Sequence, residues 1–272
     1  MKTHNREELA QNGLGRGGVG GRVPDRLGAA TGLCTYEVRI SRTAEAGIGR
    51  GISAFRVELE ERMTVLDALF QILRTQDDSL VFRCACRVGM CGTCAISVNG
   101  IPRLACKTRP SQLPAGPLTL APLPNLPVIR DLTVSMDPFF EQWKRVLPEF
   151  RPADPEATAL KSIPAASAYA RNSADKRDCI TCGACYAACG IVGTNRQYLG
   201  PAALNRAYLR ILDPRDSAQR ERLLIVDDER SGAWRCHTQF NCTAVCPKGI
   251  SLTDSIVRLK RLLLNPASVE KL

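Results

Sequence analysis

The chain has 272 residues, 37 Lys and Arg against 27 Asp and Glu, and 13 cysteines. Its length suits one large or two ordinary domains, its 44% hydrophobic content excludes wholesale disorder, and no apolar run approaches the ~18 residues of a membrane span. An odd number of thiols behind a Gly- and Arg-rich start with no apolar centre reads as metal ligands rather than exported disulfides, while the formal charge of +10 leaves nucleic acid, a membrane surface or acidic partners open.

Residues 1–33 are Gly-rich and without periodicity, which predicts a flexible tail. Cys34–Ile40 and Ala54–Leu59 then alternate as strands do, with Val38 and Ile40, and Phe55, Val57 and Leu59, on one face. Thr64-x-x-Asp67 opens a helix with the pattern of a capping box, and Val65, Leu66, Leu69, Ile72 and Leu73 form its apolar face to about Thr75. Ala95–Val98 and Ile101–Ala105, joined by Asn99-Gly100, predict a hairpin. These elements make a first domain over 34–110. Six prolines between Pro110 and Pro127 predict an extended connector over 111–136. The remainder, 137–272, is helical in pattern. Asp137-Pro138 is expected to cap one helix, Pro201 to open another, and Ser251-x-x-Asp254 to cap a third that stops at Pro266.

The cysteines fall into three sets. Cys86-x4-Cys91-x2-Cys94, with Cys106 eleven residues on, has the plant-type spacing for a 2Fe–2S cluster. Gly89 and Gly92 let the loop fold around the cluster with backbone N–H groups aimed at sulfur. A zinc ribbon or a redox Cys-x-x-Cys pair does not explain the four-residue gap. Cys179-x2-Cys182-x2-Cys185-x3-Cys189 is the bacterial ferredoxin run, in which the fourth thiolate serves a second cluster. Cys236-x2-Gln239-x2-Cys242-x3-Cys246-Pro247 is the same run with Gln239 in place of the second cysteine. By the crossover, Cys179, Cys182, Cys185 and Cys246 take a 4Fe–4S cluster. Cys189, Cys236 and Cys242 take the other, and the missing thiolate implies 3Fe–4S; a fourth iron held by Gln239, or zinc, are the alternatives. Cys34 and Cys84 are left over.

Little else in the sequence carries chemistry. There are two histidines, His4 and His237, and no glycine-rich dinucleotide loop after a predicted strand. Single-electron transfer along a row of centres is the function that remains. A zinc-binding nucleic-acid module is disfavoured, because the basic residues are scattered and aromatics total 5%.

The order of these centres resembles the iron–sulfur subunit of succinate dehydrogenase and fumarate reductase. The likeness extends to Leu123-Pro124, Val128-Ile129-Arg130-Asp131-Leu132, Gly200-Pro201-Ala202-Ala203, Asp213-Pro214-Arg215-Asp216 and Cys246-Pro247-Lys248-Gly249. It implies an α+β fold: an N-terminal β-grasp plant-type 2Fe–2S ferredoxin domain followed by an all-α bacterial-ferredoxin-like domain with two cubane-type clusters. It further implies an FAD flavoprotein partner that interconverts succinate and fumarate, a membrane anchor that in some relatives carries haem b, and quinone as the other redox partner. The chain would be peripheral on the cytoplasmic face of the inner (plasma) membrane, with no substrate site of its own. His237 and Gln239 match positions beside the 3Fe–4S centre and are the quinone-proximal candidates. The run Cys189-Gly190-Ile191-Val192-Gly193-Thr194 departs from the family, which usually has proline after this cysteine and, in ubiquinone-linked members, a tryptophan pair. Related complexes acting on other substrates are the alternative, but they generally lack the plant-type module. Trp234 is expected in the core, and Lys248 in solvent.

Overall fold

The computed structural model describes residues 32–43, 50–154, 156 and 162–265. The Gly-rich start, His4 and Pro266 lie outside them.

The first half is built on a five-stranded sheet. β1 (Leu33–Thr43) and β2 (Arg50–Glu60) pair antiparallel, with Val38 opposite Phe55 and Tyr36 opposite Val57. The alternation predicted from sequence holds: Val38, Ile40, Val57 and Leu59 are buried, and intervening residues such as Arg39 and Glu58 face out. α1 (Val65–Thr75) begins at Thr64, whose hydroxyl accepts from the Asp67 N–H while the Asp67 carboxylate accepts from the Thr64 N–H at 2.7 Å. That reciprocal bond satisfies donors the helix itself leaves free. Val65, Leu66, Leu69 and Ile72 are fully buried, each contributing about 1.5–3 kcal/mol by removal from water. β3 (Ala95–Val98) and β4 (Ile101–Leu104) form the expected hairpin. Asn99 and Gly100 both have positive φ, +49° and +79°, as a two-residue turn between right-twisted strands requires.

The sheet does not close where the sequence suggested. β5 (Leu118–Ala121), inside the proline-rich segment expected to be a connector, is the central strand of the order β2-β1-β5-β3-β4. It runs parallel to β1 and antiparallel to β3, with Leu118 and Leu120 buried. Pro117 and Pro122 stand just outside the strand, where no ladder N–H is lost. The Asn99 turn is fastened to β5, its N–H donating to the Thr119 carbonyl and its side chain accepting from the Thr119 N–H, both at 2.8 Å.

β6 (Val128–Arg130) and β7 (Thr133–Val134) form a small second sheet whose turn carries Asp131. Its buried carboxylate accepts from the N–H groups of Thr43 and Val81, each at 2.9 Å, and meets the Arg42 guanidinium at 3.1 Å. The segment leaving the first half is thereby tied back to the end of β1.

The described remainder is helical apart from one isolated bridge between Pro152 and Asp216. α2 (Asp137–Arg145) starts one residue earlier than expected. Asp137 lies within the helix rather than capping it, and its N–H donates to the Ser135 hydroxyl at 3.1 Å. α3 (Ala168–Ser173), α4 (Ala184–Ala187), α5 (Gly190–Thr194), α7 (Gln219–Val226) and α8 (Asn241–Ala244) were not legible as periodic stretches. α6 (Gly200–Leu212) and α9 (Leu252–Leu264) pack on each other, with the buried Ser255 hydroxyl donating to Asn205 Oδ1 at 2.8 Å, and Leu204, Ile211, Ile256 and Leu259 are all buried. Ser251 precedes α9 without a side-chain cap, and the Asp254 carboxylate, expected to complete a capping box, pairs with Arg258 at 2.9 Å and Lys176 at 3.1 Å. A fully buried pair, Arg222 and Asp216, fixes the stretch after α2, with Arg222 also donating to the carbonyls of Leu147 and Glu149 at 2.8 Å.

Replacing Asp131 by alanine leaves two buried N–H donors without an acceptor. Urea unfolding of Asp131→Ala should show a loss of about 3 kcal/mol, whereas Glu58→Ala on the exposed face should change stability by less than about 0.5 kcal/mol.

Candidate iron–sulfur centres

The first set of thiols lies on the loop between α1 and β3, with Cys106 just past β4. Arg87 pins that loop by placing its guanidinium 4.7 Å from the centre of the Phe70 ring on α1. Cys86 Sγ accepts from the N–H groups of Met90 and Cys91 at 3.2 and 3.3 Å. With the Val88 N–H, these bonds lower the Cys86 thiol to about 6. Cys94 and Cys106 are buried beside each other, and burial raises Cys94 to about 12. The loop thus gathers backbone donors on the sulfur at its outer side, while burial at its inner side disfavours a Cys94 thiolate unless a metal binds it.

The second and third sets form the walls of two cavities in the helical half. Cys179, Cys182, Cys185 and Cys246 converge in one, among Phe139, Ala202 and Ile250. Cys189, Cys236 and Cys242 converge in the other, with Tyr198, His237, Gln239 and Phe240. This partition matches the crossover read from the spacing. Burial raises Cys179, Cys189 and Cys242, raises Cys182 to about 11 and raises Cys185 well above the ordinary thiol value. Neutral thiols in such walls would leave weak polar groups facing one another without strong partners. Backbone donors nevertheless aim at sulfur, from Thr238 to Cys236 and from Ile250 to Cys246, both at 3.4 Å. Thiols converging in mainly apolar surroundings, with N–H groups directed at sulfur, fit iron–sulfur clusters.

The two ferredoxin runs repeat in backbone as well as sequence. Thr181 and Gly183 have φ of +52° and +78°; Thr238 and Phe240, at the same offsets in the second run, have +56° and +62°. α4 follows the first pair and α8 the second, carrying Cys185 and Cys242 at equivalent places. Gln239 therefore occupies the place of Cys182. Its side chain is exposed at the cavity rim, where its Oε1 would stand 3.2 Å from a Cβ built on Gly190.

Two features escaped sequence reading. Gly92, on the first cluster loop, is buried with φ +72°, and a Cβ there would lie 2.6 Å from Cys182 Cβ. The loops of the first and second sets are thus in direct contact, which only a glycine permits. Trp234 stands at the surface, 37% exposed, donating to Asp227 at 2.7 Å beneath the Lys260 ammonium. Cys34 is exposed on β1, and Cys84 is half-buried outside the pattern. His237 and Lys248 are both exposed.

Comparison with known proteins agrees with this layout. Residues 37–141 match the 2Fe-2S iron-sulfur cluster binding domain family, and residues 175–250 match the 4Fe-4S dicluster domain family. The mitochondrial succinate dehydrogenase [ubiquinone] iron-sulfur subunit 1 of Oryza sativa subsp. japonica is 41% identical over 201 residues, 74% of this chain and 71% of that one. The chain belongs to the succinate dehydrogenase iron–sulfur subunit family. The corresponding subunit of Dictyostelium discoideum is 38% identical over 73% of this chain and 71% of its own. A chain of the Mycobacterium smegmatis Sdh1 complex in the apo form superposes with a TM-score of 0.77 at 27% identity, covering 86% of this chain and 97% of that one. As a succinate dehydrogenase iron–sulfur subunit, the protein is an electron-transfer component of an oxidoreductase complex with 2Fe–2S, 4Fe–4S and 3Fe–4S clusters. Its α+β architecture is a 2Fe–2S ferredoxin-like half followed by a 4Fe–4S ferredoxin half.

Gln239→Cys supplies the absent corner thiolate. Oxidised wild-type protein should show a 3Fe–4S EPR signal near g = 2, in line with the spin of that cluster type. The variant should lose most of it to a 4Fe–4S centre; an undiminished signal would show that Gln239 does not stand at the corner.

Proposed function

We propose that Cys86, Cys91, Cys94 and Cys106 hold the 2Fe–2S cluster, Cys179, Cys182, Cys185 and Cys246 the 4Fe–4S cluster, and Cys189, Cys236 and Cys242 the 3Fe–4S cluster. The convergence of the last seven cysteines into a four-thiol and a three-thiol wall carries this reading. When bound, the clusters supply reversible one-electron steps. The chain's own residues hold the thiolates, aim N–H groups at them and keep water from the inner sulfurs. The contact between Gly92 and Cys182 brings the first two sets together, and the packing of α4 on α8 brings together the second and third.

The two ends of this row differ in surface. Beside the first set, Val88 and Met90 are 64% and 63% exposed on the cluster loop itself. Apolar side chains in that position suit a protein partner, and we assign this end to the FAD flavoprotein. Beside the third set, His237, Gln239 and the 59% exposed Phe240 rim the cavity. Phe240 holds a left-handed backbone there, a conformation glycine adopts at the equivalent Gly183. This end we assign to the membrane anchor and quinone, with His237 and Gln239 nearest the quinone and any haem b on the anchor. No helix among the described residues is long and apolar enough to cross a membrane. We also propose attachment through anchor subunits on the cytoplasmic face of the inner (plasma) membrane. We further read the five-stranded sheet with α1 across it as a β-grasp, and 137–272 as the second domain.

Purification from native membranes should bring down a flavoprotein and an anchor with succinate-dependent quinone reductase activity. Replacing Val88 and Met90 together by aspartate should weaken flavoprotein association at least tenfold in a pull-down titration, while all three cluster signals persist. Unchanged association would place the flavoprotein elsewhere.

A further inference from the structure

α6 carries two residues, one turn apart, that bear on the four-thiol cavity. Ala202 forms part of its wall, and Arg206 lies four residues on along the same helical face, about 6 Å further along the axis. α2 repeats the arrangement. Phe139 lines the cavity, and Trp143, four residues on, stacks on it with ring centroids 6.0 Å apart. The Arg206 guanidinium sits 5.9 Å from the centre of the Trp143 ring, and its Nε donates to the Pro148 carbonyl at 2.9 Å. A cation is thus held half-buried one helical turn beyond the cavity wall.

That cation has no carboxylate partner among the described residues. Arg222, one of its neighbours, is paired with Asp216, whereas Arg210, one turn further from the cavity on α6, has the Pro148 carbonyl and the Phe150 ring. Burial and the neighbouring Arg210 push the Arg206 pKa down, and the Cys179 sulfur opposes them. A guanidinium keeps its charge even when partly desolvated, and here the Trp143 ring face and the Pro148 carbonyl meet it without neutralising it. The four-thiol cavity, one helical turn away, becomes anionic when its thiols bind iron.

We propose that Arg206 is the counter-charge of the 4Fe–4S centre and sets its reduction potential, acting through space without touching iron or substrate. The inference rests on the ligand assignment above. One electron passes from the reduced 2Fe–2S centre; counting four thiolates on each core, the donor goes from about −3 to −2 and the acceptor from about −2 to −3. No bond or proton moves. A fixed positive charge favours the more negative acceptor, so it raises the acceptor potential and eases the transfer.

The test is an EPR-monitored redox titration of the intact complex purified from membranes. Arg206→Gln should shift the 4Fe–4S reduction equilibrium about tenfold toward the oxidised form, about 59 mV for a one-electron couple, with the 3Fe–4S midpoint unmoved. Arg206→Lys should restore most of the shift. Arg206→Met, which keeps an apolar stem on Trp143, should reproduce the loss even where the Gln variant fails to assemble. Arg210→Gln also loses a hydrogen bond to the Pro148 carbonyl, 3.2 Å in this case, and should shift the equilibrium less than twofold. An unmoved midpoint in Arg206→Met, or an equal shift in Arg210→Gln, overturns the proposal. Absence of a 4Fe–4S signal from the wild type overturns the ligand assignment and the proposal with it.

Discussion

Sulfur anions placed in apolar surroundings govern this molecule. A thiolate in a wall such as that around Cys185 is far too costly without iron, as the rise of that thiol on burial indicates. The helical half is therefore organised around cavities whose walls become favourable only when metal deprotonates them, and cluster binding contributes directly to its folding free energy. Short helices such as α4 and α8 make sense in that frame. At four residues each they have little stability of their own, and they serve to turn Cys185 and Cys242 inward.

The same constraint reinterprets the charge of the chain. The formal +10 counts every thiol as neutral. Each oxidised cluster with its thiolates carries about −2, so three of them bring the loaded protein to roughly +4. Much of the basic excess is compensation for buried negative charge. The residual positive charge is scattered over the chain, which is why it argues so weakly for nucleic acid.

Sequence reading succeeded where structure is local. The Thr64–Asp67 capping box, the Asn99-Gly100 turn and the alternation of β1 and β2 are decided by residues within a few positions of one another. The division of the cysteines between two cavities was also legible, because the ferredoxin spacing encodes the crossover between two runs. What failed was non-local or masked by composition. β5 is four residues long, sits between prolines and acquires its identity only by pairing with β1, some eighty positions earlier. Asp137 and Asp254 looked like caps from their spacing, yet nearby Ser135, Arg258 and Lys176 claimed their carboxylates. Trp234 was assigned to the core on its apolar ring, but its indole N–H found Asp227 at the surface. The touch between Gly92 and Cys182 had no signature beyond a glycine in a cysteine-rich loop.

The late arrival of β5 has a consequence for how the chain is made. β1 and β3 are neighbours only through it, so during translation they emerge as two unconnected edges. The loop bearing Cys86, Cys91 and Cys94 leaves the ribosome well before the strand that completes its support. A fragment ending at Arg109 would contain every thiol of the first set and still lack the middle of its sheet. The first half reaches its finished form only after the ribosome has passed its last cysteine and begun the approach to the second half.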